Sequence, residues 1–169
     1  MRAMMVDSPG DWLAWRAEYQ YRLGESLLVA PVFGEEPERD VYLPAGEWVD
    51  WWSGAVHSGP VMLRTHSRLE EFPLFAAVGA LIAVTQPAQH VPDGPWPEIT
   101  LLSFGGLPAT VEIRDDDGVT VVTARRVADE RGDTFIVEST GPARIAGVEF
   151  AAVAGHPAPT RVVIEEPRE

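Results

Sequence analysis

The stretch Tyr19–Phe33, YQYRLGESLLVAPVF, ends in the continuous apolar run LLVAPVF. A run of this kind indicates a strand that is buried on both faces, as in a parallel sheet covered by helices. Nothing else in the chain supplies the alternating strands and helices that a parallel barrel needs. We therefore expect Leu27–Phe33 to be a single barrel-type strand without its usual neighbours in this chain.

The rest of the sequence has the pattern of antiparallel β-structure. Fifteen prolines and fifteen glycines are spread between short apolar runs, which is typical of an all-β protein with frequent turns. Val111 and Ile113 alternate with Glu112 and Arg114, as a half-buried strand requires. Strands are predicted at Glu47–Trp52, Val61–Leu63, Phe72–Phe75, Ala80–Val84, Ile99–Phe104, Thr110–Arg114, Val119–Ala124, Thr134–Glu138, Arg144–Phe150 and Thr160–Ile164.

One short helix is predicted near the start of the chain. Ser8 and Pro9 would supply its N-cap and first-turn proline, and Asp11 would favour its positive end. Gly24 is the expected stop. This is the one helix that the sequence predicts.

Two breaks divide the chain into three pieces. The first is Gly34–Arg39, GEEPER, which is charged and contains a proline. The second is Gln86–Pro97, QPAQHVPDGPWP, whose four prolines disfavour regular pairing. The pieces are residues 1–34, 35–90 and 91–169.

The composition narrows the class of partner. The chain has 169 residues, of which 46% are hydrophobic, so it can bury a core, and its net charge is −13. This charge opposes binding to nucleic acid or an anionic membrane and fits a neutral ligand such as a sugar better. Without cysteine it has no disulfide and no thiolate metal site. No apolar run is long enough to span a membrane, and the location stays open, with the cytoplasm favoured.

Five segments together carry a resemblance to a known family. Tyr19–Phe33 followed by Asp40–Gly54, DVYLPAGEWVDWWSG, resembles glycoside hydrolase family 31, at the point where the catalytic (β/α)8 barrel passes into C-terminal β-sandwich domains. Leu69–Val84 resembles the family's paired apolar strands before the distal domain, and Val111–Thr120 resembles its distal hairpin. The opening residues MRAMMVDSPGD resemble the seventh barrel strand and its loop, which implies that most of the barrel is missing here.

The resemblance implies an all-β fold of two small antiparallel β-sandwich domains in tandem. The proximal domain is expected at 35–90 and the distal domain at 91–169. A remnant of the last strands of the barrel would precede them at 1–34. The parent family comprises α-glucosidases and α-xylosidases, which hydrolyse O-glycosyl bonds.

No catalytic residue is expected in this chain. Retaining glycosidases need two carboxylic acids that flank the scissile bond. The resemblance places both aspartates upstream, and Asp7, Asp11 and Asp50 match neither motif. We expect these three side chains to have loop or capping roles.

Tryptophans are the candidate carbohydrate-binding residues. Trp48, Trp51 and Trp52, with Trp96, offer rings on which a pyranose could stack. On a strand, Trp48 and Trp52 would point to one face and Trp51 to the other, so at least one of them belongs to the core. Packing is the principal interpretation and sugar stacking the alternative.

We expect no metal and no cofactor. Asp115, Asp116 and Asp117 before Gly118 could offer oxygen ligands to calcium, but Asp-Gly between alternating strands first predicts a hairpin turn. The histidines are dispersed without the spacing of a zinc site, and they are His57, His66, His90 and His156.

Three functions remain open. The chain is a non-catalytic C-terminal portion of a family 31 glycosidase, a carbohydrate-binding module that uses exposed tryptophans, or a subunit that completes a barrel supplied by another chain. The apolar segment Met1–Phe33 is expected either to fold back on the first sandwich or to mediate a homo-oligomer.

Overall fold

The computed structural model of the chain describes residues 1–34, 36–90, 96, 98–115, 118–129 and 132–165. These residues form two compact units, 1–78 and 79–169. Strands dominate both units, and the predicted all-β class is confirmed. The predicted domain boundaries after residues 34 and 90 stay predictions, whereas the compact units divide after Val78.

The first unit consists of one six-stranded sheet and two short helices. Its strands lie in the order β1-β2-β3-β6-β4-β5, and every neighbouring pair is antiparallel. In chain order its elements are β1 Arg2–Ala3, α1 Met4–Asp7, α2 Trp12–Arg16, β2 Tyr21–Leu23, β3 Leu27–Val29, β4 Glu38–Asp50, β5 Val56–His66 and β6 Leu74–Ala77.

Strand β3 differs from the barrel-type strand that the apolar run predicts. It covers only Leu27–Val29 and pairs in antiparallel register with β2 and β6. Leu28 and Ala30 are fully buried, whereas Phe33 is 73% exposed. The expectation of a parallel strand without neighbours is therefore wrong, because β2 and β6 occupy both of its edges. The segment folds back onto the sheet of the first unit.

The helix prediction is wrong in its bounds. Helix α2 begins after Asp11, whose carboxylate accepts a hydrogen bond from Leu13 N at 3.0 Å, so Asp11 rather than Ser8 is the N-cap. The helix ends at Arg16. Gly24, the predicted stop, lies in the turn between β2 and β3, with φ of 62°.

A long hairpin of β4 and β5 forms the other side of this sheet. The pairing register shifts between Leu43 and Gly46, which marks a bulge in β4. Opposite the bulge, a Cβ atom on Gly59 would lie 1.9 Å from Pro44 O, so only glycine fits there. The bulge lets the two backbones approach closely at this point.

The second unit is a sandwich of two sheets. The four-stranded sheet has the order β13-β11-β10-β9 and the three-stranded sheet the order β12-β8-β7. Two pairs, β11 with β13 and β12 with β8, are parallel, so this unit is mixed rather than purely antiparallel. Its strands are β7 Leu81–Val84, β8 Ile99–Phe104, β9 Ala109–Asp115, β10 Gly118–Asp129, β11 Gly132–Thr140, β12 Ile145–Ala151 and β13 Arg161–Glu165.

Side chains from both sheets of the second unit meet in one core. Leu101 of the three-stranded sheet packs with Val122, Phe135 and Val137 of the four-stranded sheet, and all four are fully buried. Phe150 meets Phe135 edge to face, with ring centroids 5.2 Å apart. Burial of these side chains is the main stabilising contribution to the unit.

The predicted acidic hairpin is confirmed at its strands. Strand β9 ends at Asp115 and β10 begins at Gly118, and these two residues are cross-strand partners. Residues 116 and 117 lie outside the described part of the chain. Gly118 has φ of 136°, a conformation that side chains disfavour.

Replacement of Gly118 by alanine is expected to lower the free energy of unfolding by about 1 kcal/mol, because φ is positive there. The matched control is Gly147→Ala. A Cβ atom meets nothing within 4 Å at either position, and only Gly118 has a positive φ. Urea unfolding of the full chain checks the difference, and equal stability of the two variants would contradict it.

Candidate functional site

Trp48 belongs to the core of the first unit and not to a sugar platform. It is 3% exposed, and its Nε1 donates a hydrogen bond to Pro44 O at 2.9 Å. The guanidinium of Arg22 lies over the ring, 4.7 Å from the centroid. No sugar can stack on this buried ring in the structure.

Trp51 and Trp52 lie beyond the end of β4 rather than on it. The strand ends at Asp50, whose Oδ1 accepts hydrogen bonds from Trp52 N at 3.1 Å and from Ser53 N at 2.8 Å. This Asx-type turn replaces the strand alternation that the sequence predicts. Consequently Trp48 and Trp52 do not share a strand face.

Trp52 presents a fixed and half-exposed ring. It is 47% exposed, and its Nε1 donates to Phe72 O at 2.7 Å. The rings of Trp52 and Phe72 meet edge to face at 6.3 Å. Trp96 lies in the second unit, where it is partly buried against the core. Sugar binding by Trp51 and Trp52 stays a prediction.

The aspartates of the first unit are occupied by structural contacts. Asp7 forms an ion pair with Arg2 at 3.0 Å and lies 3.9 Å from Arg22. Asp11 caps α2, and Asp50 organises the turn after β4. These contacts match the loop and capping roles that the sequence suggests.

Tyr42 fixes the segment before β2 to the sheet. Its hydroxyl donates a hydrogen bond to the carboxylate of Asp11. The buried side chain of Gln20 bridges both main-chain groups of Tyr42: Gln20 Nε2 donates to Tyr42 O and Gln20 Oε1 accepts from Tyr42 N, each at 2.9 Å. One amide side chain thus takes the place of a strand neighbour for β4.

Burial raises the pKa of Tyr42 to about 12, and the hydrogen bond to Asp11 adds to this effect. The uncharged hydroxyl is therefore the favoured form in the folded protein. Because the hydroxyl is a donor here, its ionisation would remove the hydrogen bond between Tyr42 and Asp11, the N-cap of α2.

Large apolar side chains are exposed along the first segment of the chain. Eight of the fourteen exposed large hydrophobic residues in the described ranges fall within residues 1–33. These eight side chains are Met1, Met5, Val6, Trp12, Trp15, Tyr19, Leu23 and Phe33. The sequence predicts an apolar segment at Met1–Phe33, but it does not indicate which of its side chains are exposed.

The two histidines of the first unit have different neighbours. His57 packs edge to face on Phe75, with centroids 6.1 Å apart, and His66 lies 4.0 Å from Glu38. Among the described residues, no group of three His, Asp or Glu side chains is placed to hold a metal ion. Within the same ranges, no helix has the length and hydropathy to span a membrane.

The curated proteins to which the chain is similar include an isomaltosyltransferase and an α-xylosidase. It is 31% identical to the isomaltosyltransferase of Sporosarcina globispora over 131 residues, which are 73% of this chain and 12% of that protein. It is 31% identical to the α-xylosidase of Saccharolobus solfataricus over 142 residues, 83% of this chain and 19% of that protein.

The predicted resemblance to the C-terminal portion of glycoside hydrolase family 31 is confirmed by a domain match. Residues 1–82 match the glycosyl hydrolase family 31 C-terminal domain. Among solved structures the chain resembles the cycloalternan-forming enzyme from Listeria monocytogenes, with a TM-score of 0.62 and 27% identity over 79% of this chain and 14% of that one. The chain spans less than a fifth of the length of each of these three relatives.

The Tyr42 contact predicts how stability depends on pH. A pKa raised from 10 to about 12 gives stabilisation that is complete below pH 10 and is lost as the pH rises towards 12. The sequence contains no lysine and no cysteine and only three tyrosines, so few other groups titrate there. The free energy of unfolding should fall with a slope of up to about 1.4 kcal/mol per pH unit.

Tyr42→Phe should reduce this slope because it removes the titrating hydroxyl, while Tyr21→Phe serves as the control. Urea unfolding at several pH values between about pH 8 and pH 12 measures the slopes. Equal slopes for the wild-type chain and Tyr42→Phe would show that Tyr42 is not the group responsible.

Proposed function

We propose that this chain is the C-terminal β-region of a retaining α-glycosidase of family 31. In this role it supports a catalytic (β/α)8 barrel and supplies no catalytic carboxylate. The family match supports this assignment. The names of the isomaltosyltransferase and α-xylosidase relatives suggest an α-linked glucoside or xyloside as the substrate of the complete enzyme.

The observation that carries this proposal is the concentration of exposed apolar side chains in residues 1–33. Exposed apolar side chains that are concentrated in one segment of a soluble protein mark a candidate interaction surface. Burial of apolar surface contributes about 25 cal/mol per Å², so a docked barrel would gain substantially from covering these side chains.

The backbone that carries these side chains is firmly held. Asp11 and Gln20 tie it to Tyr42, and β3 pairs with β6. A fixed apolar surface loses less conformational entropy on docking than a flexible tail does. This supports a surface that is preorganised for a neighbouring domain.

The contacts of the aspartates support a non-catalytic role. Asp7 is paired with Arg2, and Asp11 is bound by α2 and Tyr42. Asp50 accepts three hydrogen bonds within its own turn. A general acid or nucleophile must instead face the substrate, with its partner carboxylate about 5–5.5 Å away in a retaining enzyme.

A carbohydrate-binding module is the second candidate. It is favoured by the half-exposed ring of Trp52, which Phe72 holds through a hydrogen bond and an edge-to-face contact. A third candidate, a subunit that completes a barrel from another chain, uses the same apolar surface as the first. These two differ only in whether the barrel belongs to the same polypeptide.

The purified chain is expected to show no hydrolysis of p-nitrophenyl α-glucoside or α-xyloside above the buffer rate. The reason is that the aspartates of its first unit serve structural contacts. Release of p-nitrophenol measures the rate. Turnover that persists through further purification and has a bell-shaped pH profile would overturn the non-catalytic assignment.

Removal of apolar surface from the first segment is expected to reduce self-association. Without a barrel to cover it, this surface should drive the full chain into homo-oligomers. The double variant Val6→Ser/Trp12→Ser should shift the mass towards the monomer in light scattering. The control Trp52→Ser/Val119→Ser removes a similar exposed pair outside residues 1–33 and should leave the mass unchanged.

If the wild-type chain is already monomeric at high concentration, the proposed homo-oligomer is refuted. If both double variants lower the mass equally, the association does not depend on the first segment, and the docking surface is misplaced.

A further inference from the structure

The pairing of β3 with β6 and the pairing of β4 with β5 belong to one interrupted antiparallel ladder. At the end of the β3–β6 pair, Ala30 N donates a hydrogen bond to Pro73 O at 3.0 Å. At the start of the β4–β5 pair, Ser67 N donates a hydrogen bond to Pro37 O at 2.9 Å. The same two stretches of chain therefore meet at both points, in the same antiparallel sense.

The ladder is open between these two hydrogen bonds. Among the described residues of 31–36 and 68–72, no backbone hydrogen bond joins one stretch to the other. Proline explains why each end is closed from one side only: Pro73 and Pro37 accept a hydrogen bond but have no N–H to return one. The sequence itself therefore limits pairing here, and the longer stretch, of six residues, spans about 20 Å at most.

A cleft of about 630 Å³ lies in this opening, within the range of volumes of ligand sites. Leu69 on its rim is 98% exposed, more than any other large hydrophobic residue in the described ranges. None of the eight exposed apolar side chains of residues 1–33 lines the cleft. Its apolar and aromatic lining includes Tyr21, Val29, Pro31, Val32, Leu69 and Phe72.

Side chains outside the cleft hold both of its walls. The guanidinium of Arg39 donates a hydrogen bond to Pro31 O in one wall. In the other wall, Phe72 O accepts a hydrogen bond from Trp52 Nε1 at 2.7 Å. The walls are thus held in place before a ligand arrives, and less conformational entropy is lost on binding.

The charged groups of the lining favour a cation. The cleft is lined by two carboxylates, of Glu36 and Glu71, and by one guanidinium, of Arg68. Arg68 makes only a loose contact with Glu71, at 4.0 Å, and its side chain is 79% exposed, whereas that of Glu71 is 27% exposed. The excess of carboxylates and the net charge of −13 attract a basic group and repel an acidic one.

We propose that this cleft binds an extended peptide segment of a partner protein, with apolar side chains and one basic side chain. The peptide lies between the two open stretches and supplies backbone donors and acceptors that they do not give each other. Its apolar side chains cover Leu69 and Phe72, and its basic side chain meets Glu36 and Glu71.

An extended peptide satisfies more of the cleft than other occupants do. A small organic cation reaches the carboxylates but leaves the backbone groups of both open stretches to water. A purely apolar surface would strip water from Glu36 and Glu71 without giving them hydrogen-bond donors, and that is costly. Only a segment that combines a backbone, apolar side chains and a basic group meets all three parts of the lining.

This inference does not rest on the proposed support of a barrel. The cleft and the exposed apolar side chains of residues 1–33 are separate sets of residues. Failure of peptide binding therefore leaves the hydrolysis and self-association tests of that function unaffected.

The test is an NMR titration of the full chain with the acetylated and amidated pentapeptide VRVTV. The backbone amide signals of Val32, Gly34, Leu69 and Glu71 should shift in a saturable way. The peptide VEVTV, in which an acid replaces the base, should bind about tenfold more weakly. VRVTV with its central amide N-methylated should bind about fivefold more weakly, because it lacks one backbone donor.

Two variants place the peptide in the cleft. Leu69→Ser should weaken binding of VRVTV about tenfold because it removes an apolar contact, and Glu71→Gln should weaken it about fivefold. The matched controls Leu23→Ser and Glu47→Gln change exposed side chains outside the cleft and should bind as the wild-type chain does. Because Leu69 is almost fully exposed, its replacement should leave the melting temperature unchanged, which separates binding from folding.

Four outcomes would overturn the proposal. The first is the absence of a saturable shift with VRVTV up to about 10 mM, a range in which even weak binding registers. The second is equal affinity for VRVTV, VEVTV and the N-methylated peptide. The third is the same set of saturable shifts with butylammonium chloride alone, which assigns the cleft to a small cation. The fourth is a lower mass of Leu69→Ser in light scattering, which assigns the cleft to a second copy of the chain.

Discussion

The first unit depends on the pairing of one short strand, β6, with two partners at once. Phe75 lies opposite Leu28 of β3 and opposite Asp50 of β4, and it is fully buried. Without these four residues, β1 to β3 would share no strand neighbour with the β4–β5 hairpin. The segment that resembles the end of a barrel is therefore an integral part of this sheet, and its apolar run is satisfied by antiparallel neighbours.

Side chains complete what strand pairing leaves unfinished in this unit. Gln20 supplies a hydrogen-bond donor and an acceptor to Tyr42, and the Tyr42 hydroxyl reaches Asp11 at the start of α2. The guanidinium of Arg39 donates hydrogen bonds to the carbonyl groups of Tyr19 and Pro31. Polar side chains on β4 and at its edge thus hold the loops that carry the exposed apolar and aromatic side chains. The position of that surface therefore depends on these hydrogen bonds.

Local patterns predicted the strands, but contacts distant in sequence decided the site. The alternation of Val111 and Ile113 correctly indicated a hairpin strand, and the apolar run correctly indicated a buried strand at Leu28. Its partner β6 lies more than forty residues further along, so no local signal marked it as antiparallel. The turn at Asp50 separates Trp48 from Trp52, which the strand pattern did not predict. A positive φ is usual for glycine, so the sequence carried no sign of the positive φ at Tyr19.

The position of β6 also sets the order in which the sheet can form on the ribosome. Strand β6 is synthesised after both of the strands that it joins, β3 and β4. Until residue 77 has left the exit tunnel, the edges of β3 and β4 that it will cover have no permanent partner. A nascent chain of this protein consequently holds an open gap in its sheet, and the last strand of the unit closes it by insertion rather than by addition at an edge.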